Sequence, residues 1–91
     1  MADAHATLTI LNKLGLHARA AAMFVKTATR FEAEIMVEKD GQSVNGRSIM
    51  GIMTLAAEQG SQIEIAASGA DAAAALDAIR ALVESRFDEG E

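Results

Sequence analysis

The sequence predicts an α+β fold, in which one sheet of about four strands carries helices on one face. Two observations support this prediction. Short segments in which apolar and polar residues alternate, as in half-buried strands, are interspersed with segments whose apolar residues recur at helical spacing. The resulting order is β-α-β-β-α-β-α, and 91 residues have room for one small domain, which we expect to span residues 1–91.

The first strand is predicted over residues 6–11, where Leu8 and Ile10 alternate with threonines. Its β-branched content is typical of a half-buried strand. A loop follows over residues 12–17. The apolar period then changes to that of an amphipathic helix, which we expect to cover residues 18–30.

The middle of the chain predicts a β-hairpin. Residues 34–39 alternate again, and Asp40-Gly41 is the strongest turn signal in the sequence. Both positions suit the positive φ angles of a tight hairpin turn. The returning strand should therefore occupy residues 42–45.

A second helix is expected to begin after Ser48, which is a good N-cap residue, and to continue to about residue 57. Ile52 and Leu55 can share its buried face, but the other large apolar side chains cannot all join them. These other side chains are Ile49, Met50 and Met53. Apolar residues left at the surface of a helix indicate a site where a protein partner docks.

The C-terminal third predicts a strand and a long helix. Residues 62–67 alternate, with Ile63 and Ile65 pointing inward, and a turn over 68–71 leads into an Ala-rich helix. The apolar stripe of this helix consists of Leu76, Ile79, Leu82 and Val83. We expect the acidic tail to fray after Phe87.

The composition excludes several classes of protein. A net charge of −5 argues against nucleic acid as a ligand, because phosphate backbones attract an excess of Lys and Arg. The absence of Cys excludes disulfides and Cys-based zinc sites. No apolar run reaches membrane-spanning length, and the first residues lack the pattern of a signal peptide, so we expect a cytoplasmic protein that does not bind membranes.

Of the two histidines, His17 is the candidate for chemistry, whereas His5 is expected to be a solvated surface residue. His17 lies at the predicted start of a helix, where free backbone N–H groups and the charge of Arg19 favour an anion. A neutral imidazole nitrogen is a nucleophile, and a phosphoryl group attached to it would rest against these donors. The local pattern fits equally well a histidine that only caps the helix.

Two motifs favour the chemical interpretation. The stretch Gly15-Leu16-His17-Ala18-Arg19, followed by Ala-rich helix, resembles the active-site signature of the HPr family. These proteins are the histidine-containing phosphocarriers of the bacterial phosphoenolpyruvate:sugar phosphotransferase system. A second stretch, Asn45-Gly46-Arg47-Ser48-Ile49-Met50-Gly51, resembles the regulatory serine region of the family. The resemblance covers nearly the whole chain and implies an open-faced β-sandwich, with a four-stranded antiparallel sheet and three helices on one face.

The resemblance implies that His17 accepts a phosphoryl group from phosphorylated Enzyme I and passes it to an Enzyme IIA protein, with Arg19 stabilising the phosphate. Ser48 matches the serine that HPr kinase/phosphorylase modifies. Such a carrier is a substrate of enzymes rather than an enzyme, and we expect a monomer without metal or cofactor. The residues to which the resemblance assigns partner contacts are Ile49, Met50, Met53, Lys26 and Arg47.

The sequence departs from the family pattern at one position and leaves the branch of the family open. Ala20 stands where the family usually has Pro, which presets φ in the first helical turn and lacks an N–H. Residues 12–15 and 86–89 resemble the nitrogen-related paralogue NPr, whereas residues 47–51 resemble HPr with serine regulation. A carrier of the nitrogen-related branch and a docking-only regulatory module therefore stay as alternatives.

Two other classes are disfavoured. A hydrolase built on Ser48 and His17 would need a third orienting residue and an oxyanion hole, and the spacing offers neither. Two histidines and scattered carboxylates are too few for a metal site.

Overall fold

The computed structural model describes residues 3–89. Four strands form one sheet, namely β1 (Asp3–Thr9), β2 (Glu34–Lys39), β3 (Gln42–Asn45) and β4 (Gln62–Ser68). The helices are α1 (Ala18–Ala28), α2 (Ile49–Thr54) and α3 (Ala72–Glu84), and a short 3₁₀ turn, Arg86–Asp88, follows α3. The strands lie in the order β1-β4-β2-β3, and every neighbouring pair is antiparallel. The predicted antiparallel sheet with three helices is confirmed.

One face of the sheet forms the core. Along β2 and β4 the burial alternates, so that Ile35 and Val37 are buried beside Ile63 and Ile65, while their neighbours face outward. The helices cover this face with their own apolar stripes, which include Phe24 from α1 and Ile79 from α3. The outer face of the sheet stays open to solvent, as the alternating pattern predicts.

Helix α1 ends at Ala28 and not near residue 30, and the predicted boundaries of two other elements differ more from the structure. The first strand begins at Asp3 and ends at Thr9, not over 6–11, because β4 offers partners from Ser68 back to Gln62. The second helix ends at Thr54 and not near residue 57. There the N–H groups of Leu55 and Ala56 bond to carbonyls three residues back, and Ala56 then takes a left-handed φ of 50°. The helix is thereby closed by a tight turn.

The loop between β1 and α1 is fixed against the end of α2. Gly15 has a φ of +69°, and a Cβ at this position would collide with the carbonyl oxygen of Ala57. The backbone N–H of Leu16, the next residue, donates a hydrogen bond of 2.9 Å to the same carbonyl. This close approach of two backbones sets the position of His17, the next residue along the chain.

We predict that Gly15→Ala destabilises the fold more than Gly41→Ala. Both glycines have positive φ, +69° and +83°, so both substitutions carry a backbone penalty of about 1 kcal/mol. Only Gly15 lacks room for a Cβ, whereas nothing lies within 4 Å of one built on Gly41. The extra cost of forcing the backbones apart should be about 1–3 kcal/mol. Urea unfolding of the two variants measures the difference, and equal midpoints would contradict this prediction.

Candidate functional site

His17 occupies the N-cap position of α1. Its backbone is extended, with φ −74° and ψ 178°, and its carbonyl accepts the N–H of Ala21 at 2.8 Å. The ring makes no capping hydrogen bond, so only the backbone of His17 takes part in the cap. The side chain is 28% exposed and therefore accessible to a partner. The first-turn N–H groups of Ala18, Arg19 and Ala20 lack acceptors within the helix, because a helix leaves its first amides unpaired.

The structure adds a carboxylate that sequence reasoning missed. Glu89 Oε2 contacts Nε2 of His17 and lies 2.8 Å from a guanidinium nitrogen of Arg19. The other oxygen, Oε1, accepts a hydrogen bond of 3.0 Å from Nδ2 of Asn12. One carboxylate thus joins the two residues that the sequence singled out for chemistry.

The charge state of Glu89 follows from these contacts. Burial of the carboxyl group, which is only 10% exposed, raises its pKa. The hydrogen bonds from His17, Asn12 and Arg19, together with the positive charge that the His17 ring has when it is protonated, lower it by more. The net pKa of Glu89 lies below its usual value, so this residue is an anion near neutral pH.

The side chain of Asn12 links the β1–α1 loop to the carboxylate of Glu89. Its side chain is fully buried, and Nδ2 donates both to the carbonyl of Gly15 at 2.8 Å and to Glu89. Its Oδ1 has no hydrogen-bond partner within the described residues 3–89. Because both contacts of Nδ2 are to acceptors, they fix which way the amide points. The sequence places Asn12 in the loop and in the stretch that resembles NPr, but it does not predict these contacts.

The C-terminal turn carries Glu89 back to α1. Three consecutive residues, Arg86, Phe87 and Asp88, have left-handed φ angles between 54° and 58°. The ring of Phe87 is fully buried, and its carbonyl accepts a hydrogen bond of 3.2 Å from Arg19. The expected fraying after Phe87 is therefore wrong for Asp88 and Glu89, while residues 90 and 91 lie outside the described residues. No local pattern marks this turn, because non-glycine residues seldom adopt such angles in succession.

The predicted exposure of apolar residues on α2 is confirmed. Ile52 and Leu55 are buried, whereas the other three large side chains are exposed by 41%, 76% and 42%. Leu14 was not predicted to join them, and it is 68% exposed in the loop before His17. Leu14 and His17 line one shallow depression together with Ala57 and Glu58. We call Leu14, Ile49, Met50 and Met53 the apolar patch.

The remaining candidate residues are Ser48, Lys26 and Arg47. Ser48 is the N-cap of α2, and its Oγ accepts the N–H of Gly51 at 2.9 Å, as the sequence predicts. Lys26 is exposed on α1. Arg47, by contrast, donates to the carbonyls of Phe31 and Ala33, at 2.5 and 3.0 Å. Its guanidinium therefore ties the α1–β2 connection to the start of α2.

A carboxylate reinforces this connection. Asp71 accepts the backbone N–H groups of Glu32 at 2.9 Å and Ala33 at 2.8 Å. The hydrogen bond from Glu32, with that from Ala33 and the charge of Arg47, outweighs burial and lowers the pKa of Asp71. Asp71 and Arg47 thus hold the same short segment from two sides.

The part of the chain that is described contains neither a metal-binding cluster nor a membrane-spanning helix. No three His, Asp or Glu side chains come together there in an arrangement that would bind a metal ion. None of the helices there has the length and apolar character needed to span a bilayer.

Comparison with known proteins identifies the family. The model of the PTS HPr component phosphorylation site matches residues 4–85. The phosphocarrier protein HPr of Neisseria meningitidis is 49% identical over 85 residues, which cover 93% of this chain and 96% of that protein. The crystal structure of HPr-C-His from Thermoanaerobacter tengcongensis superposes with a TM-score of 0.91 at 49% identity, covering 94% of this chain and 97% of the other. For HPr from Bacillus anthracis the TM-score is 0.86 at 49% identity, with 91% and 99% covered. The chain belongs to the HPr family of phosphocarrier proteins of the phosphotransferase system.

Proposed function

We propose that this chain carries a phosphoryl group on His17, which it accepts from phosphorylated Enzyme I and passes to an Enzyme IIA protein in the cytoplasm. The observation that carries this proposal is the position of the His17 ring. It is accessible, it is not used as a cap, and it lies beside Arg19 at the start of a helix. The fold over residues 1–91 acts as one domain that supplies this site.

The transfer is an exchange of one nitrogen–phosphorus bond for another. As a ring nitrogen of His17 attacks, the bond between phosphorus and the donor histidine breaks, and its electron pair returns to the donor ring. Little covalent work is left to the carrier, which contributes positioning and charge stabilisation. Arg19 is 53% exposed, so its guanidinium can turn from Glu89 toward the incoming phosphate. The first-turn amides of α1 supply further donors to the anion.

The apolar patch is the proposed docking surface for both Enzyme I and Enzyme IIA. Leu14 lines the same depression as His17, so a partner that covers the imidazole also covers this side chain. A docking surface with only four large apolar side chains suits a transient interface with fast dissociation, which a shuttle between two partners requires. Lys26 supplies positive charge on α1 toward acidic partner surfaces, and Arg47 adds its charge beside Ser48.

Phosphoryl transfer to His17 is tested by intact mass after incubation with phosphoenolpyruvate and Enzyme I. We expect a gain of about 80 Da that is labile to acid and absent from His17→Ala. His5→Ala is the matched control, because His5 is exposed on the outer face of β1. A donor from the nitrogen-related branch, run in parallel, distinguishes the two branches. If neither donor adds mass to the unaltered chain, the carrier function is wrong and the docking-only alternative gains support.

Ala20 should lengthen the life of the phosphohistidine. Its N–H lies in the first turn of α1, where Pro would remove a donor to the phosphate. We expect the phosphohistidine of Ala20→Pro to hydrolyse about two- to tenfold faster than that of the unaltered chain. This ratio corresponds to the loss of one hydrogen bond of about 1 kcal/mol. Ala20→Gly keeps the N–H and is the control for altered rigidity. Identical half-lives of the phosphorylated unaltered chain and Ala20→Pro would show that this amide does not contact the phosphate.

Phosphorylation of Ser48 by HPr kinase/phosphorylase is the proposed regulation. The Oγ already accepts an amide at a helix N-terminus, so a negative group there is tolerated by the fold. The same group lies next to Ile49 and Met50 of the apolar patch, where it would be buried by a docking partner at a cost in desolvation.

We therefore expect Ser48→Asp to slow phosphoryl acceptance from Enzyme I by about tenfold or more, without loss of thermal stability. Asp keeps the N-cap acceptor, so the fold is preserved. Ser43→Asp adds the same charge on the exposed outer face of β3 and should leave the rate unchanged. Equal rates for the two variants would count against a block of docking. Transfer of radiolabelled phosphate from Enzyme I under single-turnover conditions measures the acceptance rates of both variants.

A further inference from the structure

The chain has five methionines and no Cys, Trp or Tyr, so a thioether sulfur is the side-chain group that peroxide attacks most readily here. Met50 and Met53 lie in the apolar patch, where they are 76% and 42% exposed. We propose that oxidation of Met50 and Met53 by hydrogen peroxide to methionine sulfoxide is a reversible switch that prevents docking of Enzyme I. This inference rests on the function proposed above, because it concerns the surface proposed there for docking.

Helix α2 exposes both sulfur-containing side chains without using them in the core. The two residues are three positions apart, so their side chains are neighbours on the surface of the helix. Ile52 and Leu55 are buried instead, and they attach α2 to the rest of the fold. Oxidation of Met50 and Met53 therefore changes the surface of the helix and leaves its packing intact.

The oxidation is a two-electron transfer of oxygen. A lone pair on sulfur attacks one oxygen of hydrogen peroxide, and the O–O bond breaks. The proton of the transferred hydroxyl group moves to the departing hydroxide, which becomes water. Sulfur is oxidised to the sulfoxide, and the peroxide is reduced. Methionine sulfoxide reductases reverse the step, since two thiols of a thiol reductant are oxidised to a disulfide and the oxygen leaves as water.

The change in polarity explains why oxidation should prevent docking. A thioether is apolar and its side chain is flexible, which suits a surface that has to fit two partners. The sulfoxide oxygen is a polar acceptor. An apolar partner surface would bury that oxygen without a hydrogen bond, and this costs free energy. Two neighbouring sulfoxides would place this cost within the apolar patch.

Two other methionines provide comparisons within the same molecule. Met36 is 39% exposed, nearly as much as Met53, but it lies on the outer face of the sheet, paired with Ala66 of β4. Its oxidation should leave docking unchanged. Met23 is half-buried, and its Sδ accepts a hydrogen bond of 3.3 Å from Arg19. Because this bond engages a lone pair of the sulfur and burial limits access, Met23 should be oxidised more slowly than Met50.

The test measures acceptance from phosphorylated Enzyme I before and after treatment with hydrogen peroxide, which catalase removes before Enzyme I is added. Peptide mass spectrometry locates the gain of about 16 Da on each methionine. We expect treatment to slow acceptance about tenfold or more in the parent and in Met36→Leu. The double variant Met50→Leu/Met53→Leu, compared with its own untreated form, should lose this response. Met1 is present in every variant and cannot cause a difference between them.

Two controls separate docking from chemistry, at a peroxide dose that leaves Met23 unmodified. Potassium phosphoramidate is a small phosphoryl donor that needs no docking surface, so it should modify His17 at the same rate before and after oxidation. Methionine sulfoxide reductases A and B, which act on the two sulfoxide epimers, should restore acceptance from Enzyme I. The thermal midpoint of the parent should stay unchanged by oxidation.

Three outcomes overturn the proposal. The parent with sulfoxide at both positions accepts phosphate at its untreated rate, the double variant slows as much as the parent, or the reaction with phosphoramidate slows as much as that with Enzyme I. Failure of the carrier function is a separate result. If the untreated parent binds Enzyme I but accepts nothing, and oxidation weakens this binding about tenfold, the carrier function fails and the switch stands. If Enzyme I neither binds nor phosphorylates the untreated parent, both fail.

Discussion

The contact between the β1–α1 loop and the end of α2 is the constraint on which the site depends. Gly15 brings its backbone against the carbonyl of Ala57, and Leu16 donates to that same carbonyl. One backbone crossing thereby joins the start of the helix that carries His17 to the end of the helix that carries most of the apolar patch. The residue proposed for chemistry and the surface proposed for docking are thus joined by a direct backbone contact, as a carrier with two partners would need because both must find the imidazole in the same place.

The net charge of the chain does not describe every part of its surface, because acidic and basic side chains lie in different regions. The chain as a whole is acidic, at −5. On the outer face of the sheet Glu38 and Glu64 even lie directly opposite each other on β2 and β4, an arrangement of like charges that costs stability. The cations Arg19 and Lys26 lie on α1 instead. The first two turns of α1 and the residues that follow them therefore present positive charge in an acidic molecule, although Glu89 pairs with Arg19.

Sequence reasoning succeeded where a local period or a local motif decides the structure. The exposure of Met50 and the burial of Ile52 follow from helical spacing around a core that has room for only one face of α2. The N-cap role of Ser48 and the hairpin at Asp40-Gly41 follow in the same way from residue type. These features need no knowledge of what the rest of the chain does.

The rest of the site could not be predicted, because it depends on contacts between distant residues. Glu89 reaches His17 across 72 positions, and only the unusual left-handed backbone of residues 86–88 directs it there. The tail is acidic and follows a helix, so its composition favours fraying. Asn12 is a comparable case, since a loop Asn is normally solvated and this one is buried by the same carboxylate that it orients.

The origin of Glu89 has a consequence for the order in which the molecule matures during synthesis. The ribosome releases His17 and its helix early, but β1 has no neighbour until β4 has been made, since the sheet pairs Asp3 with Ser68. The carboxylate emerges later still. A nascent chain therefore exposes the imidazole before it has either a finished sheet or the contact with Glu89. The site around His17 is therefore complete only after the turn over residues 86–88 has folded and brought Glu89 to the ring.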